Sequence, residues 1–131
     1  MPFELKVLAW SVCLGILHIA VAATLSTQQR GLKWNVGNRD GDLKILTGNA
    51  ARADRASKNF FETFPLFAAA VLALTVQSGF NSTTALGAEL YFWARAAYLI
   101  VFWIGVPYLR TVVWGISIAG LVLLLARWLG L

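Results

Sequence analysis

Long apolar stretches that lack acidic and basic side chains alternate with polar connections along the whole chain. These stretches cover residues 7–26, 63–80, 90–109 and 111–126, and Arg95 is the one Lys, Arg, Asp or Glu residue inside them. A helix needs about 20 apolar residues to cross a bilayer core of about 30 Å. Unbroken runs of this length exclude the alternating strands of a membrane barrel. The pattern therefore predicts four transmembrane helices.

The predicted fold is an all-α integral membrane protein, a four-helix bundle formed by a single domain over residues 1–131. Composition agrees, since 59% of the residues are hydrophobic and 13% are charged, whereas a soluble domain carries about a quarter charged residues. Flanking turns complete the shorter apolar stretches. The predicted helices cover approximately residues 3–26, 52–80, 87–106 and 108–130, with a loop over 27–51.

The first apolar stretch has a second interpretation, as a signal peptide. Ala20-Val21-Ala22 resembles the small-residue cleavage site that follows a short apolar core. The residues before the core, however, include both Glu4 and Lys6, so the usual positive leader is missing. Cleavage would also export the strongly basic segment 27–58. These features favour a retained membrane helix.

Basic residues concentrate on one side of the predicted membrane. Segment 27–58 holds seven of the eleven Lys and Arg residues, and the connection near 81–88 has no charge at all. Positive loops stay in the cytoplasm, so we expect a cytoplasmic loop and both termini on the opposite side. This topology and an attraction to anionic headgroups are sufficient to explain the net charge of +5. We therefore expect membrane lipids as partners, and no nucleic acid.

The segment RADRASKNFFETFP, residues 52–65, carries charge into the start of the second apolar stretch. Its polar residues recur at helical spacing on one face, and further polar residues of the third and fourth helices belong to the same end of the bundle. Ionisable side chains inside a membrane are costly and usually mark a function. The candidate site residues are Arg52, Arg55, Asn59, Glu62, Arg95, Tyr98, Arg110 and Thr111.

Two interpretations of this cluster stay open at this point. The structural one is a buried salt-bridge network, for example between Glu62 and Arg95, that holds the helices in register. The functional one starts from charge balance, because four arginines face Glu62 alone. Arginine binds carboxylates through two parallel hydrogen bonds, and a glutamate can hold an ammonium group. A small peptide with two carboxylates and one amine fits this set, and glutathione is such a molecule.

The same segment resembles the signature of the MAPEG family, the membrane-associated proteins in eicosanoid and glutathione metabolism. That signature spaces an arginine, an asparagine, a glutamate and a proline by four, three and three residues. In the string RADRASKNFFETFPLFAAAVL these residues are Arg55, Asn59, Glu62 and Pro65.

A second MAPEG signature resembles residues of the third and fourth predicted helices. Arg95-Ala-Ala-Tyr98 is similar to its arginine followed three residues later by an aromatic residue or histidine. Pro107-Tyr-Leu-Arg110-Thr111 is similar to its Pro-x-x-Arg-Ser/Thr turn. The resemblance covers roughly residues 28–120. The string GVPYLRT is typical of the short bacterial branch, which implies a bacterial inner membrane.

The resemblance implies a homotrimer of four-helix bundles, with glutathione as cosubstrate held between neighbouring subunits near the cytoplasmic surface. Arg110 would be catalytic, because a nearby guanidinium favours the thiolate of a thiol whose free pKa is about 8.5. The thiolate would attack a hydrophobic electrophile or reduce a lipid hydroperoxide from the bilayer. The implied glutathione contacts, joined by Arg52 from the charge cluster, are Arg55, Asn59, Glu62, Arg95, Tyr98 and Thr111.

Phe102 departs from the family pattern, because many members have a tyrosine one helical turn beyond the position of Tyr98. The missing hydroxyl keeps a second function open, a non-enzymatic lipid- or glutathione-binding scaffold. A third, a small multidrug exporter, needs a carboxylate within the membrane to couple protons, and the first helix has only Glu4 at its outer end. We therefore expect a glutathione-dependent transferase or peroxidase.

Two smaller features predict details of the packing. His18 lies in the first apolar stretch with no Cys, Asp or second His beside it. We expect it to be a hydrogen-bonded interior residue and not a metal ligand. Gly115 and Ala119 form a small-xxx-small step, which predicts close packing by the fourth helix.

Overall fold

The computed structural model of the protein describes residues 1–41 and 43–131, which form helices and no strands. Among these residues, four helices are long and apolar enough to cross a membrane, and one further helix is a single short turn. The predicted all-α chain with four helices of membrane-spanning length is confirmed. In order, the helices are α1 (Phe3–Arg30), α2 (Leu32–Val36), α3 (Gly48–Val76), α4 (Ser82–Ile104) and α5 (Pro107–Trp128).

The boundaries of the long helices differ from those that hydropathy predicted. Helix α1 continues to Arg30, beyond residue 26, and α3 begins at Gly48, ahead of residue 52. Helix α4 begins at Ser82, ahead of residue 87. Hydropathy marks the part of a helix that suits lipid. Backbone hydrogen bonding continues through polar residues that tolerate the helical conformation.

Part of the predicted loop 27–51 is tied back to the end of α1. The Gln29 side chain makes two hydrogen bonds with the Thr47 backbone, donating from Nε2 to the carbonyl at 2.8 Å and accepting from the amide at 3.0 Å. Lys44 Nζ donates to the Gln29 carbonyl at 2.9 Å. These contacts place the start of α3 beside the end of α1.

Both ends of α4 have defined caps. At its start the Asn81 side chain accepts from the Thr84 amide at 3.0 Å, and the Thr84 hydroxyl accepts from the Asn81 amide at 2.8 Å, which is a capping box. At its end Gly105 has a φ of 73°, a left-handed conformation that glycine adopts without steric cost. Pro107 then opens α5, where its missing N–H is not needed. The turn between the two helices is therefore short.

The long helices pack as two pairs, α1 with α3 and α4 with α5, and further contacts join the pairs. Helices α4 and α5 cross closely where Gly87 meets Gly120. A Cβ on Gly87 would lie 2.8 Å from the Gly120 carbonyl oxygen, so any side chain there would push the helices apart. Gly115 and Ala119 make no close contact with another helix of the protomer, because a Cβ on Gly115 would meet nothing within 4 Å and Ala119 is exposed.

The two ends of the bundle have different cores. We call the end with both chain termini the terminal end, and the end with residues 31–47 and the α4–α5 turn the loop end. The core of the terminal end contains large, fully buried side chains such as Phe67, Tyr91 and Leu124. The core of the loop end includes small side chains of α3, Ala53 and Ala56. Space therefore remains between the helices at the loop end.

Polar contacts close the terminal end within one protomer. The Glu4 carboxylate is buried, with 4% of the residue exposed, and its Oε1 lies 2.5 Å from the Thr84 hydroxyl oxygen. Arg127 Nε donates to the Gly79 carbonyl at 2.9 Å. Glu4 and Arg127 at this end thus find partners elsewhere in the protomer.

Candidate functional site

A cleft of about 110 Å³ opens at the loop end, between the start of α3, the end of α4 and the start of α5. Its polar side chains come from all three helices, while apolar residues around the α4–α5 turn form the remaining wall. The polar lining residues are Arg52, Arg55, Tyr98 and Arg110.

Two small residues, Ala56 and Gly105, leave room for this cleft. Ala56 lines it from α3, where a larger side chain would fill the space. Across from it, the Arg52 guanidinium lies over Gly105, and a Cβ on that glycine would be 3.3 Å from Arg52 Nη1. Gly105 therefore has two roles, since it ends α4 and makes room for an arginine from α3.

A second cleft of about 190 Å³ adjoins the first one deeper along α5. Tyr98 and Arg110 line both clefts and so separate them. The second cleft adds Asn59 from α3 and Thr111 and Trp114 from α5. Six of the eight predicted site residues thus line two neighbouring clefts.

Three guanidinium groups, those of Arg52, Arg55 and Arg110, line the first cleft without an acidic partner. Among the residues that the structure describes, the ion pair within 4 Å is the exposed pair of Lys58 and Asp54 on α3. Apolar helix walls screen the repulsion between such cations less than bulk water does. The arrangement favours the binding of an anion.

Arg95 lies behind the second cleft and is fully buried. Its Nη1 donates to Asn59 Oδ1 at 2.7 Å, and its Cζ lies 4.6 Å from the Tyr98 ring centroid and 5.6 Å from that of Phe60. Its Nε and Nη2 have no hydrogen-bond partner among the described residues. The salt bridge with Glu62 considered in the sequence is not formed, because Asn59 and two aromatic rings surround the guanidinium instead.

His18 is buried on α1 as predicted, but the hydrogen bond expected for its side chain is not formed. Neither ring nitrogen has a partner in the described part of the chain. The imidazole instead stacks on Phe60 of α3, with 4.9 Å between the ring centroids and an angle of 25° between the planes. The same Phe60 ring contacts the Arg95 guanidinium, so aromatic packing links α1 to the base of the site.

The match to a known family extends over almost the whole chain. The sequence model of the family described as "MAPEG family" matches residues 7–130 of the chain. The chain belongs to the MAPEG family. No curated protein and no solved structure matches it significantly. The predicted resemblance is confirmed, and with four helices of membrane-spanning length the protein is an integral membrane protein of that family.

The two MAPEG signatures meet in space at the loop end. The first cleft brings Arg55 of the first signature beside Tyr98 and Arg110 of the second. The second cleft adds Asn59 and Thr111. Segments separated by more than thirty residues along the chain therefore share one site, because α3 packs against both α4 and α5.

Glu62, the remaining signature residue of α3 that was predicted to bind, lies outside both clefts. It is exposed, and it accepts no hydrogen bond from the residues that the structure describes. Leu66 and Ala69 are exposed on the same helical face. No helix of the protomer covers this face, which we call the open face of α3.

Several residues that shape the MAPEG site were not predicted from the sequence. Trp114 lines the second cleft. Its position one helical turn after Arg110 is the feature of the sequence that could have indicated this. Gly105 makes room for Arg52, and a glycine two residues before Pro107 is typical of a helix end. Phe60 contacts the buried Arg95, and the sequence carries no signal for that contact.

Proposed function

We propose that this MAPEG protein is a glutathione-dependent membrane transferase or peroxidase that acts on hydrophobic electrophiles or lipid hydroperoxides. The observation that carries the proposal is the group of Arg52, Arg55 and Arg110, which line the first cleft without a carboxylate partner among the residues that the structure describes. Glutathione has two carboxylates, one ammonium group and one thiol. Three guanidinium groups at a membrane surface suit such an anion.

The polar groups around the clefts fit the other parts of glutathione. A guanidinium can only donate hydrogen bonds, so Arg95 fixes the Asn59 side chain with Oδ1 towards α4. The Asn59 amide nitrogen makes no hydrogen bond with the described residues and is left to donate to a peptide carbonyl or a carboxylate. Glu62 is the acidic side chain for the ammonium group.

Arg110 is the proposed catalytic residue. It lies in the first turn of α5, and the residue before that helix, Val106, provides no side-chain cap for the backbone N–H groups. The positive end of the helix and the guanidinium together stabilise a thiolate in the clefts. The thiolate of bound glutathione supplies the nucleophile for an electrophile or the electrons for a hydroperoxide. Thr111, the residue after Arg110, donates a hydrogen bond to the same thiolate.

A homotrimer completes the site in this proposal. Clefts of about 110 and 190 Å³ are smaller than the roughly 300 Å³ or more of typical ligand pockets. Glu62 lies on the open face of α3, directly before the uncharged stretch 63–80, where exposure to lipid is costly. A neighbouring copy that covers this face would enclose both Glu62 and the ligand.

The proposed orientation places the clefts in the cytoplasm. They open at the loop end, beside the basic segment 27–58 that the positive-inside rule assigns to that side. Glutathione then enters from the cytoplasm and the hydrophobic substrate from the bilayer. A bacterial inner membrane suits this arrangement. Single cysteines introduced at Ser57 and Thr83 test it, since we expect labelling from opposite sides.

Phe102 favours a second candidate, a scaffold that binds glutathione or lipid without turnover. It lines the first cleft and is 5% exposed, so an apolar ring lies where a hydroxyl would face the ligand. The scaffold predicts glutathione binding with no thiolate at neutral pH. Ultraviolet difference spectra of the bound thiol distinguish the two functions.

Calorimetric titration of the detergent-purified protein with glutathione tests the proposal. We expect binding, a mass of three chains in detergent, and conjugation or hydroperoxide activity. Arg55→Ala should weaken binding by about 1.5–3 kcal/mol, the usual contribution of a charged hydrogen bond. Arg39→Ala, an exposed arginine outside the clefts, is the matched control. Absence of binding heat, or a monomeric mass, would reject the site as proposed.

A further inference from the structure

A broad groove lies on the outer surface at the terminal end, far from the glutathione clefts. It runs between the first turns of α1 and the second and third turns of α4, and its volume is about 420 Å³. Four aromatic side chains and one carboxylate line it together with Val7. These residues are Phe3, Trp10, Phe92, Trp93 and Glu89.

Glu89 is an exposed carboxylate without a partner in the protomer. It accepts no hydrogen bond and forms no ion pair within 4 Å with any residue that the structure describes. It lies seven residues into α4, about 10 Å from the start of the helix at the usual rise. A carboxylate beside apolar groove walls is costly unless a cation accompanies it.

The aromatic rings around Glu89 also favour a cation. Trp10 and Trp93 are 64% and 66% exposed, so their ring faces are open to a ligand. Phe92 and Trp93 pack edge to face, with 5.1 Å between the ring centroids. Ring faces attract ammonium groups, and a carboxylate beside them accepts a charge-assisted hydrogen bond from the same group.

Lys6 provides an opposite charge beside the groove. It is exposed on α1, and helical spacing places it next to Phe3 and Trp10 on the same side of the helix. Lys6 and Glu89 do not pair, since no ion pair within 4 Å joins them. A ligand with one ammonium and one phosphate group would meet both charges.

A second groove of about 340 Å³ lies on the other side of α4, between α4 and α5. Glu89 and Trp93 line this groove as well and so form a ridge between the two. Two apolar grooves on either side of one polar ridge match a molecule with one headgroup and two acyl chains.

We propose that Glu89, Trp10, Trp93 and Lys6 bind the headgroup of a diacyl phospholipid that carries an ammonium group, in the leaflet at the terminal end. The ammonium lies against Glu89 and the tryptophan rings, and the phosphate lies against Lys6. A second copy of the chain is a poorer occupant. The open face that carries Glu62 belongs to α3, and α3 contributes no residue to this groove, which α1 and α4 line, so a copy covering Glu62 leaves the groove to lipid.

Native mass spectrometry of the purified protein tests this site with two added lipids of identical acyl chains, phosphatidylethanolamine and phosphatidylglycerol. We expect the ethanolamine lipid to be bound in several-fold excess. Glu89→Gln keeps the shape of the side chain and removes its charge, so it should bring the two lipids close to equal binding. Trp93→Leu should reduce the same preference while keeping an apolar side chain. Trp128→Leu, an exposed tryptophan at the same end but outside both grooves, should leave it unchanged.

Three results would overturn the proposal. Equal binding of both lipids to the wild type, or an unchanged preference in Glu89→Gln, would show that the groove does not recognise ammonium. A disulfide between copies of Trp93→Cys in membranes, on a Cys13→Ser background, would show that a second chain covers it. Size-exclusion profiles identical to the wild type confirm that each variant is folded, and glutathione binding is expected to be unaffected throughout.

Discussion

Between the helices, the two ends of the bundle differ in how charged side chains are paired. At the terminal end the buried Glu4 carboxylate lies 2.5 Å from the Thr84 hydroxyl, which also belongs to the capping box of α4. At the loop end Arg52, Arg55 and Arg110 line a cleft, and no acidic residue in the described part of the chain pairs with them. Large buried side chains fill the first end, and alanines of α3 leave space at the second.

This difference distinguishes stabilising charges from binding charges. A buried polar group that has its partner contributes to the fold, whereas unpaired groups around a space are available to a ligand. Arg95 lies between these cases, since one of its donors binds Asn59 and two others have no partner. Variants at each end should therefore affect different properties, stability at the terminal end and ligand chemistry at the loop end.

The largest effect is expected from Arg110→Ala at the loop end. Loss of a guanidinium close to the sulfur should raise the pKa of bound glutathione by about 1–3 units. Turnover at neutral pH should fall by roughly tenfold to hundredfold, with a smaller loss of binding. The spectral titration of the bound thiolate measures this. Arg127→Ala, at the terminal end, is the control, and an unchanged titration in Arg110→Ala would remove the proposed mechanism.

Gly120→Ala should have the next largest effect, on stability. Its Cβ would lie 2.5 Å from the Gly87 carbonyl oxygen and 2.9 Å from the Tyr91 backbone nitrogen. Helices α4 and α5 must separate, at a cost of about 1–3 kcal/mol. Gly115→Ala, the same change in open space on α5, should be neutral or stabilising by about 0.5–1 kcal/mol. Unfolding in mixed micelles compares the two variants, and equal stabilities would contradict the helix crossing.

Thr84→Val should destabilise the terminal end without affecting the site. It removes the hydroxyl beside Glu4 and half of the capping box, and a buried carboxylate without its hydrogen bond costs about 1–3 kcal/mol. Glutathione affinity should stay the same. Thr83→Val, an exposed neighbour, is the control. A loss of glutathione affinity in Thr84→Val would mean that the two ends are coupled.

The smallest effect is expected from Phe102→Tyr, which adds a hydroxyl in the first cleft. A new hydrogen bond to the ligand would strengthen glutathione binding by about 0.5–1.5 kcal/mol. Phe64→Tyr, away from the clefts, should not strengthen it. Calorimetry of both variants gives the difference. Weaker binding in Phe102→Tyr would show that the ring packs where no ligand group can accept a hydrogen bond.

Local sequence was enough to predict the membrane-spanning helices and the residues that gather at the loop end. An apolar stretch of about 20 residues indicates directly that the segment lies in lipid. Helical spacing shows which residues share one face of a helix. Asn59 and Arg110 could therefore be selected without a structure. The ends of the helices were less predictable, as the start of α3 at Gly48 shows, because hydrogen bonding continues beyond the apolar part.

Contacts between helices depended on the tertiary structure. The pairing of Glu4 with Thr84 joins residues 80 positions apart, and the burial of Arg95 behind Asn59 replaced the salt bridge that charge alone suggested. The stacking of His18 on Phe60 and the crossing at Gly87 and Gly120 likewise had no clear signal. Each depends on how far one helix is rotated and shifted against another. Periodicity within a helix does not determine that geometry, because it results from the packing of all four helices together.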